Sequence, residues 1–128
     1  MVERLRVDYD RVVTVLARGN ITIANETADD VHIKGEVWTD DKSEKRTNWF
    51  SSAIEPDSDE TRSIAFMAKR AHKLIFSIEG SPSKLQVWIT DEKRVDSTKI
   101  SWIIVEEGGY LKAKSAKNGK VISSVKLK

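Results

Sequence analysis

Lys99-Ile-Ser-Trp-Ile-Ile-Val-Glu-Glu-Gly-Gly-Tyr-Leu-Lys-Ala-Lys114 reads most simply as an extended chain that turns back on itself. Ile100, Trp102 and Ile104 share one face of such a chain, and Ile103 and Val105 share the other. Both faces are therefore apolar, which predicts a central strand inside a packed structure and assigns Trp102 to the core. Glu106-Glu107-Gly108-Gly109 then reads as a turn, and Tyr110 to Ser115 as the returning strand.

Further strands are expected on both sides of this hairpin. Toward the C-terminus, Lys117-Asn-Gly-Lys120 predicts a type I′ turn into a last strand over Val121 to Leu127. Toward the N-terminus, Val31 to Thr39 alternates most cleanly. Val31, Ile33, Gly35 and Val37 lie on its core face, with His32, Lys34, Glu36 and Trp38 outward. Leu85, Val87 and Ile89 alternate in the same way with Gln86 and Trp88. Val12 to Ala17 is a β-branched run ended by a turn signal at Arg18-Gly19-Asn20, and Ile21 to Asn25 alternates again. Asp40 to Arg46 reads as a charged loop, and Thr47 to Ile54 as a short strand or irregular segment. Glu55 to Glu60 is a turn by composition. Thr61 to Ala68 and His72 to Glu79 form two closely joined strands. Between Ile64 and Ile78 a helix competes on propensity, but the flanking period of 2 favours strands. Gly80 to Ser83 is a turn, and Asp91 to Thr98 a second charged loop. The first ten residues have no period and form a loose lead-in to one domain spanning 1–128. Eight to ten short strands without a convincing helix predict an all-β fold, an antiparallel β-sandwich of immunoglobulin-like or similar type, with a closed barrel as the second choice.

At 128 residues, 39% hydrophobic and 33% charged, the chain can bury a core without staples. It has no cysteine, which excludes disulfides, thiolate nucleophiles and cysteine-zinc sites. The charged N-terminus lacks the apolar segment of a signal peptide, and no apolar run approaches the roughly 20 residues that span a bilayer. A cytoplasmic location is thus expected over secretion, with peripheral membrane contact open. Asn20-Ile-Thr22 and Asn25-Glu-Thr27 match the glycosylation sequon and are read as chance, or as hydrogen-bonding residues at strand ends. Charge is uneven. Between Asn25 and Glu60, eleven acids face four bases for a net −7, whereas Gly108 to Lys128 holds six lysines and no acid. Lys112, Lys114, Lys117 and Lys120 could meet an anionic surface, although lysines on an edge hairpin commonly serve against edge-to-edge aggregation.

Catalytic motifs are missing. His32 and His72 fall on different strands, and there is no nucleophile elbow, phosphate loop or metalloprotease helix. No enzyme, resident metal or cofactor is expected. Acids in predicted turns (Asp29-Asp30, Asp40-Asp41, Asp57 to Glu60, Asp91-Glu92) could converge on calcium. The eight residues Lys84-Leu-Gln-Val-Trp-Ile-Thr-Asp91 resemble the strand leading to a calcium loop in C2 domains, but the other loop signature of those domains is missing. Aromatic residues are the stronger class. Trp38 and Trp88 are assigned outward, Trp49-Phe50 lies in a polar, loop-like context, and Tyr110 opens the returning strand. Together these five are the candidate ligand-binding set, suited to stacking on sugars, seating in a lipid interface or anchoring a protein contact. The alternative is that the outward rings belong to the core or cover an edge. Nucleic acid is not expected, because the lysines are not interleaved with aromatics and the acidic half would repel phosphate.

Asn20-Ile-Thr-Ile-Ala-Asn-Glu-Thr-Ala-Asp-Asp-Val-His-Ile33 resembles the opening of the aegerolysin-like β-sandwiches, where a strand ending in Asn-x-Thr turns through polar residues into a second strand. Ile100 to Ile104 through Val125 to Leu127 is similar to their last strands. The likeness covers about a third of the chain, and the cysteine-bearing, tryptophan- and proline-rich segment of that family has no counterpart. The resemblance implies a small non-enzymatic sandwich that recognises membrane lipids. The expectation is a non-enzymatic binding protein for a membrane-lipid or glycan surface. An immunoglobulin-like interaction module, in some form self-associating, comes second, and a calcium-dependent C2-like domain third.

Overall fold

A computed structural model describes residues 15–67, 69–89 and 99–128. The lead-in expected over residues 1–10, the start of the β-branched run, and the charged loop from Asp91 to Thr98 lie outside the described residues. Those described form nine strands: β1 (Val15–Asn25), β2 (Val31–Thr39), β3 (Lys45–Ile54), β4 (Ser58–Met67), β5 (Arg70–Ile78), β6 (Lys84–Ile89), β7 (Lys99–Glu107), β8 (Tyr110–Ser115) and β9 (Val121–Lys126). They make two packed sheets, ordered β4-β1-β7-β8-β9 and β3-β2-β5-β6. The protein is an all-β sandwich, antiparallel throughout except where β1 runs parallel to β7.

Period-2 patterning on two inner faces creates the core. Ile21, Ile23, Ile64, Phe66, Ile100, Trp102, Ile104, Leu111 and Ala113 come from the five-stranded sheet. Val31, Ile33, Ile54, Leu74, Phe76, Ile78, Leu85, Val87 and Ile89 come from the other. Each fully buried Ile or Leu contributes about 1.5–3 kcal/mol relative to an exposed one. β7 occupies the middle of the five-stranded sheet, as expected, with Trp102 inward. Its second apolar face, Ile103 and Val105, is only half-buried because it lies on the outer side of a two-layer structure.

Several turns differ from expectation. Gly108 (φ 60°) and Gly109 (φ 83°) supply the positive φ at both central positions that a two-residue type I′ hairpin requires, and Glu107 pairs with Tyr110 across them. At Lys117 to Lys120 only Gly119 has positive φ. The Gly119 N–H donates to the Ser115 carbonyl, and Ser115 N–H to that of Lys120, so a longer loop replaces the type I′ turn. No turn interrupts β1. Gly19 pairs with Ile64 and Asn20 with Ser63 in one continuous ladder to β4, because a long partner strand satisfies the backbone through the glycine. The turn expected over Glu55 to Glu60 shrinks to 55–57, where Asp57 takes the left-handed conformation (φ 58°), and β4 begins at Ser58. Lys45 and Arg46 likewise belong to β3 rather than to the preceding loop.

The ten-residue β3 contains a bulge. Gly35 pairs with Phe50 but Glu36 with Asn48, which leaves Trp49 as an extra residue. A bulge re-aims the side chains beside it. Trp49 and Phe50 both pack against the core, Trp49 with its centroid 5.4 Å from Phe66 and 4.7 Å from His72. Phe50 lies so close over Gly35 that a Cβ there would meet its ring at 2.9 Å.

Asn25 is the sequence's strand-end hydrogen bonder. It is 1% exposed; its Nδ2 donates to the Asp29 and Ile54 carbonyls (both 2.8 Å), and its Oδ1 accepts from the Thr27 N–H and hydroxyl. With its amide enclosed and fully used, Asn25 is not an accessible glycosylation site.

Candidate site on the outer face of the four-stranded sheet

Antiparallel register places directly opposed residues on one face, so the pairings write out the outer surface of the four-stranded sheet. Successive rows across β3-β2-β5-β6 are Ala53, His32, Ser77, Lys84; then Ser51, Lys34, Ile75, Gln86; then Asn48, Glu36, Lys73, Trp88. The last row is Lys45, Trp38 and Ala71. The small side chains of Ala53, Ser51 and Ser77 lie in the first two rows, and both tryptophans, Trp88 and Trp38, lie in the others. The result is an open concavity of about 810 Å³, lined among others by His32, Lys34, Asn48, Ser51, Ile75 and Ser77.

At its tall end stands a tightly connected cluster. Trp38 and Trp88 meet edge to face, with centroids 5.6 Å apart. The Lys73 ammonium lies over both rings, at 4.3 Å from Trp38 and 4.9 Å from Trp88, and donates to Gln86 Oε1 at 2.9 Å. Lys42 reaches Trp88 from the β2–β3 loop at 5.2 Å. In that loop the Ser43 and Thr39 hydroxyls bond the Asp41 carboxylate, both at 2.6 Å, and hold its pKa down to about 2. Glu36 is 6% exposed, a buried carboxylate on an outer face. Burial would push its pKa up. The Trp38 indole N–H (3.0 Å), Lys45 (3.1 Å) and the charge of Lys73 (3.9 Å) together outweigh burial and keep it below the ordinary value. Lys34 approaches the same carboxylate at 3.6 Å. At the opposite end of the face, His32 Nε2 meets Glu79 Oε2 at 2.8 Å.

Of the five aromatic residues singled out in the sequence, the structure brings together Trp38 and Trp88, outward and half-buried. Trp49 and Phe50, half-buried, pack against the core at the β3 bulge and are also among the residues that line the concavity. Tyr110 is 41% exposed but lies on the other sheet. Lys112 and Lys114 are on that sheet too, ion-paired to Glu107 at 3.4 and 2.8 Å. The Lys114 hydrogen bond, helped by Lys112, holds the Glu107 carboxyl below its ordinary value. Lys117 and Lys120 are exposed in the β8–β9 loop. Sequence reasoning missed Glu36, Lys73 and the floor of Ser51, Ala53, Ile75 and Ser77. The outward alternation of β2 and β5 was the available signal, but the register that joins them was not.

His72 is buried in the core between Trp49 and Phe66, its Nε2 accepting the Met67 N–H at 3.1 Å. Among the described residues no three of His, Asp and Glu form a group able to hold a metal, and no helix is long and apolar enough to cross a membrane. No known protein family matches the chain, and no curated protein is significantly similar to it.

Proposed function

We propose that this protein is a non-enzymatic binding protein that takes a glycan chain along the concave outer face of its four-stranded sheet. The observation that carries the reading is the concavity of about 810 Å³, with the Trp38–Trp88 pair on the same face beside its Glu36 end. A sugar chain presents hydroxyls and C–H faces together. Ser51, Ser77, Asn48 and His32 offer hydrogen bonds to the former, and Ile75 and the indole of Trp88 offer apolar contact to the latter. The resemblance to aegerolysin-like sandwiches favours a lipid surface instead, and that is the second reading for the molecule. A recessed face whose tryptophans are held by Lys73 and Glu36 is poorly shaped to enter a flat bilayer, so the glycan comes first.

The test is titration of tryptophan fluorescence with a panel of soluble polysaccharides and with neutral and anionic vesicles. Saturable binding of a polysaccharide, abolished by Ser51→Tyr, which fills the floor, and unaffected by Tyr110→Ala, is the expected result. Binding of vesicles alone, or polysaccharide binding indifferent to Ser51→Tyr, overturns the reading.

A further inference from the structure

We infer that the glycan taken by this face is an acidic one, carrying carboxylate or sulfate groups. The inference rests on the glycan-binding reading of the same surface. Its ground is how the fold sorts charge. The segment from Asn25 to Glu60 is strongly acidic in sequence, yet Asp29, Asp30, Asp40, Asp41, Glu44, Glu55 and Asp57 all fall in connections between strands. What β2 and β3 turn toward the concavity is no longer acidic: one lysine, Lys34, and one enclosed carboxylate, Glu36, to which β6 adds Lys84. The outer-face rows contain Lys34, Lys45, Lys73 and Lys84 against Glu36, and beyond the rows the face carries one more carboxylate, the exposed Glu79 bonded to His32.

Glu36 is already spent. Buried and held ionised by the Trp38 indole, Lys45 and Lys73, it has little to offer a cation or anion that arrives from solvent. The two lysines nearest the floor are the available ones. The side chain of Lys34 is half exposed, and its contact with Glu36 is long, at 3.6 Å. Lys84 is exposed at the rim beside Ser77. In the order β3-β2-β5-β6, Lys34 stands within the floor, between Ser51 and Ile75, and Lys84 stands beside Ser77 at the β6 edge. A ligand crossing Ser51, Ile75 and Ser77 would meet one cation along its path, Lys34, and a second at the edge, Lys84. A linear chain with an anionic group on successive residues is complementary to that arrangement, and a neutral chain leaves both charges unused.

The experiment compares polygalacturonate with its methyl-esterified, neutral form by calorimetry on the intact chain, with an oligouridylate as a second polyanion. Expected is binding of polygalacturonate alone, weakened about tenfold when salt rises from about 50 to 200 mM, as loss of a few ion contacts to a linear polyanion requires. Lys34→Gln with Lys84→Gln should weaken it at least about tenfold, while Lys120→Gln on the other sheet leaves it unchanged. Equal, salt-independent binding of the neutral polymer overturns the acidic inference and leaves the glycan reading standing. Binding of neither polysaccharide overturns both. Oligouridylate binding as tight as polygalacturonate also overturns the inference, since the face would then be reading charge on a nucleic acid.

Discussion

Glu36 shows how a charged residue is kept on a surface without being given to solvent. Its side chain is 8% exposed, and its partners are the Trp38 indole and the ammonium groups of Lys34, Lys45 and Lys73. Lys73, itself 8% exposed, is enclosed by two indoles, Gln86 and this carboxylate. Removing one member therefore leaves an enclosed charge poorly compensated, and Glu36→Gln should cost about 2 kcal/mol at neutral pH. The pH dependence follows from the lowered pKa. The unfolded carboxyl titrates near 4.5 and the folded one below it, so the stabilisation is fully present above about pH 4.5 and is lost as pH falls through the folded value. In urea denaturation across pH 7 to 3, the gap between the parent and Glu36→Gln should narrow on the acid side. A gap that stays constant to pH 3 would show that the carboxylate is not the source of the stabilisation.

At the scale of an element, the β3 bulge decides where two aromatics go. Without it, Trp49 and Phe50 would point to opposite faces, since successive strand residues alternate. The extra residue turns both rings to the interior, and Gly35 on the neighbouring strand provides the space. Gly35 does not have positive φ, so its requirement is purely steric. A methyl group there would meet Phe50 carbons at 2.9 and 3.0 Å and Trp49 Cβ at 3.2 Å. Gly35→Ala should therefore destabilise by about 1–3 kcal/mol through overpacking. Pairing it with Phe50→Leu, which shortens the obstructing side chain, should recover part of that loss relative to Phe50→Leu alone. Additive costs in this double-mutant cycle would mean that the ring is not what Gly35 accommodates.

Across the whole molecule, hydroxyl groups help join the two sheets along the edge formed by β6 and β9. Ser83 Oγ donates to the Lys126 carbonyl at 2.9 Å and accepts the Lys128 N–H at 3.0 Å, and Ser81 Oγ donates to the Lys128 carbonyl at 3.2 Å. Ser123 Oγ reaches the Gln86 carbonyl at 3.4 Å. On the opposite side the Arg62 guanidinium lies 5.1 Å over the Phe50 ring, and Glu60 bonds both Ser52 and Arg62. These contacts leave less of the outer strands' edges open to other chains, a hazard for exposed sheet edges. Ser83→Ala removes two of the bonds. It should speed hydrogen exchange of the amides from Val121 to Lys126 several-fold while leaving the β5 amides near the global limit. Unchanged protection of the last strand would assign its order to the β8 pairing alone.

The outward placement of Trp38 and Trp88 and the inward placement of Trp102 are legible in the amino-acid sequence by itself. Alternation is local: a residue's face depends only on its position in an extended chain. The same locality makes the all-β class, the strand at Lys99–Glu107 and its Gly-Gly turn readable. Neighbours are another matter. That Lys73 lies between two tryptophans carried on β2 and β6, that Glu36 is buried, and that β1 runs beside β7 in parallel all depend on pairings between residues far apart in sequence. No local pattern encodes the register of such pairs. The bulge that reverses Trp49 likewise exists only as a mismatch between two strands. Composition and period thus define the faces of this protein, and long-range strand pairing alone assembles from them a recessed, lysine-bearing surface on a chain whose first half is acidic in sequence.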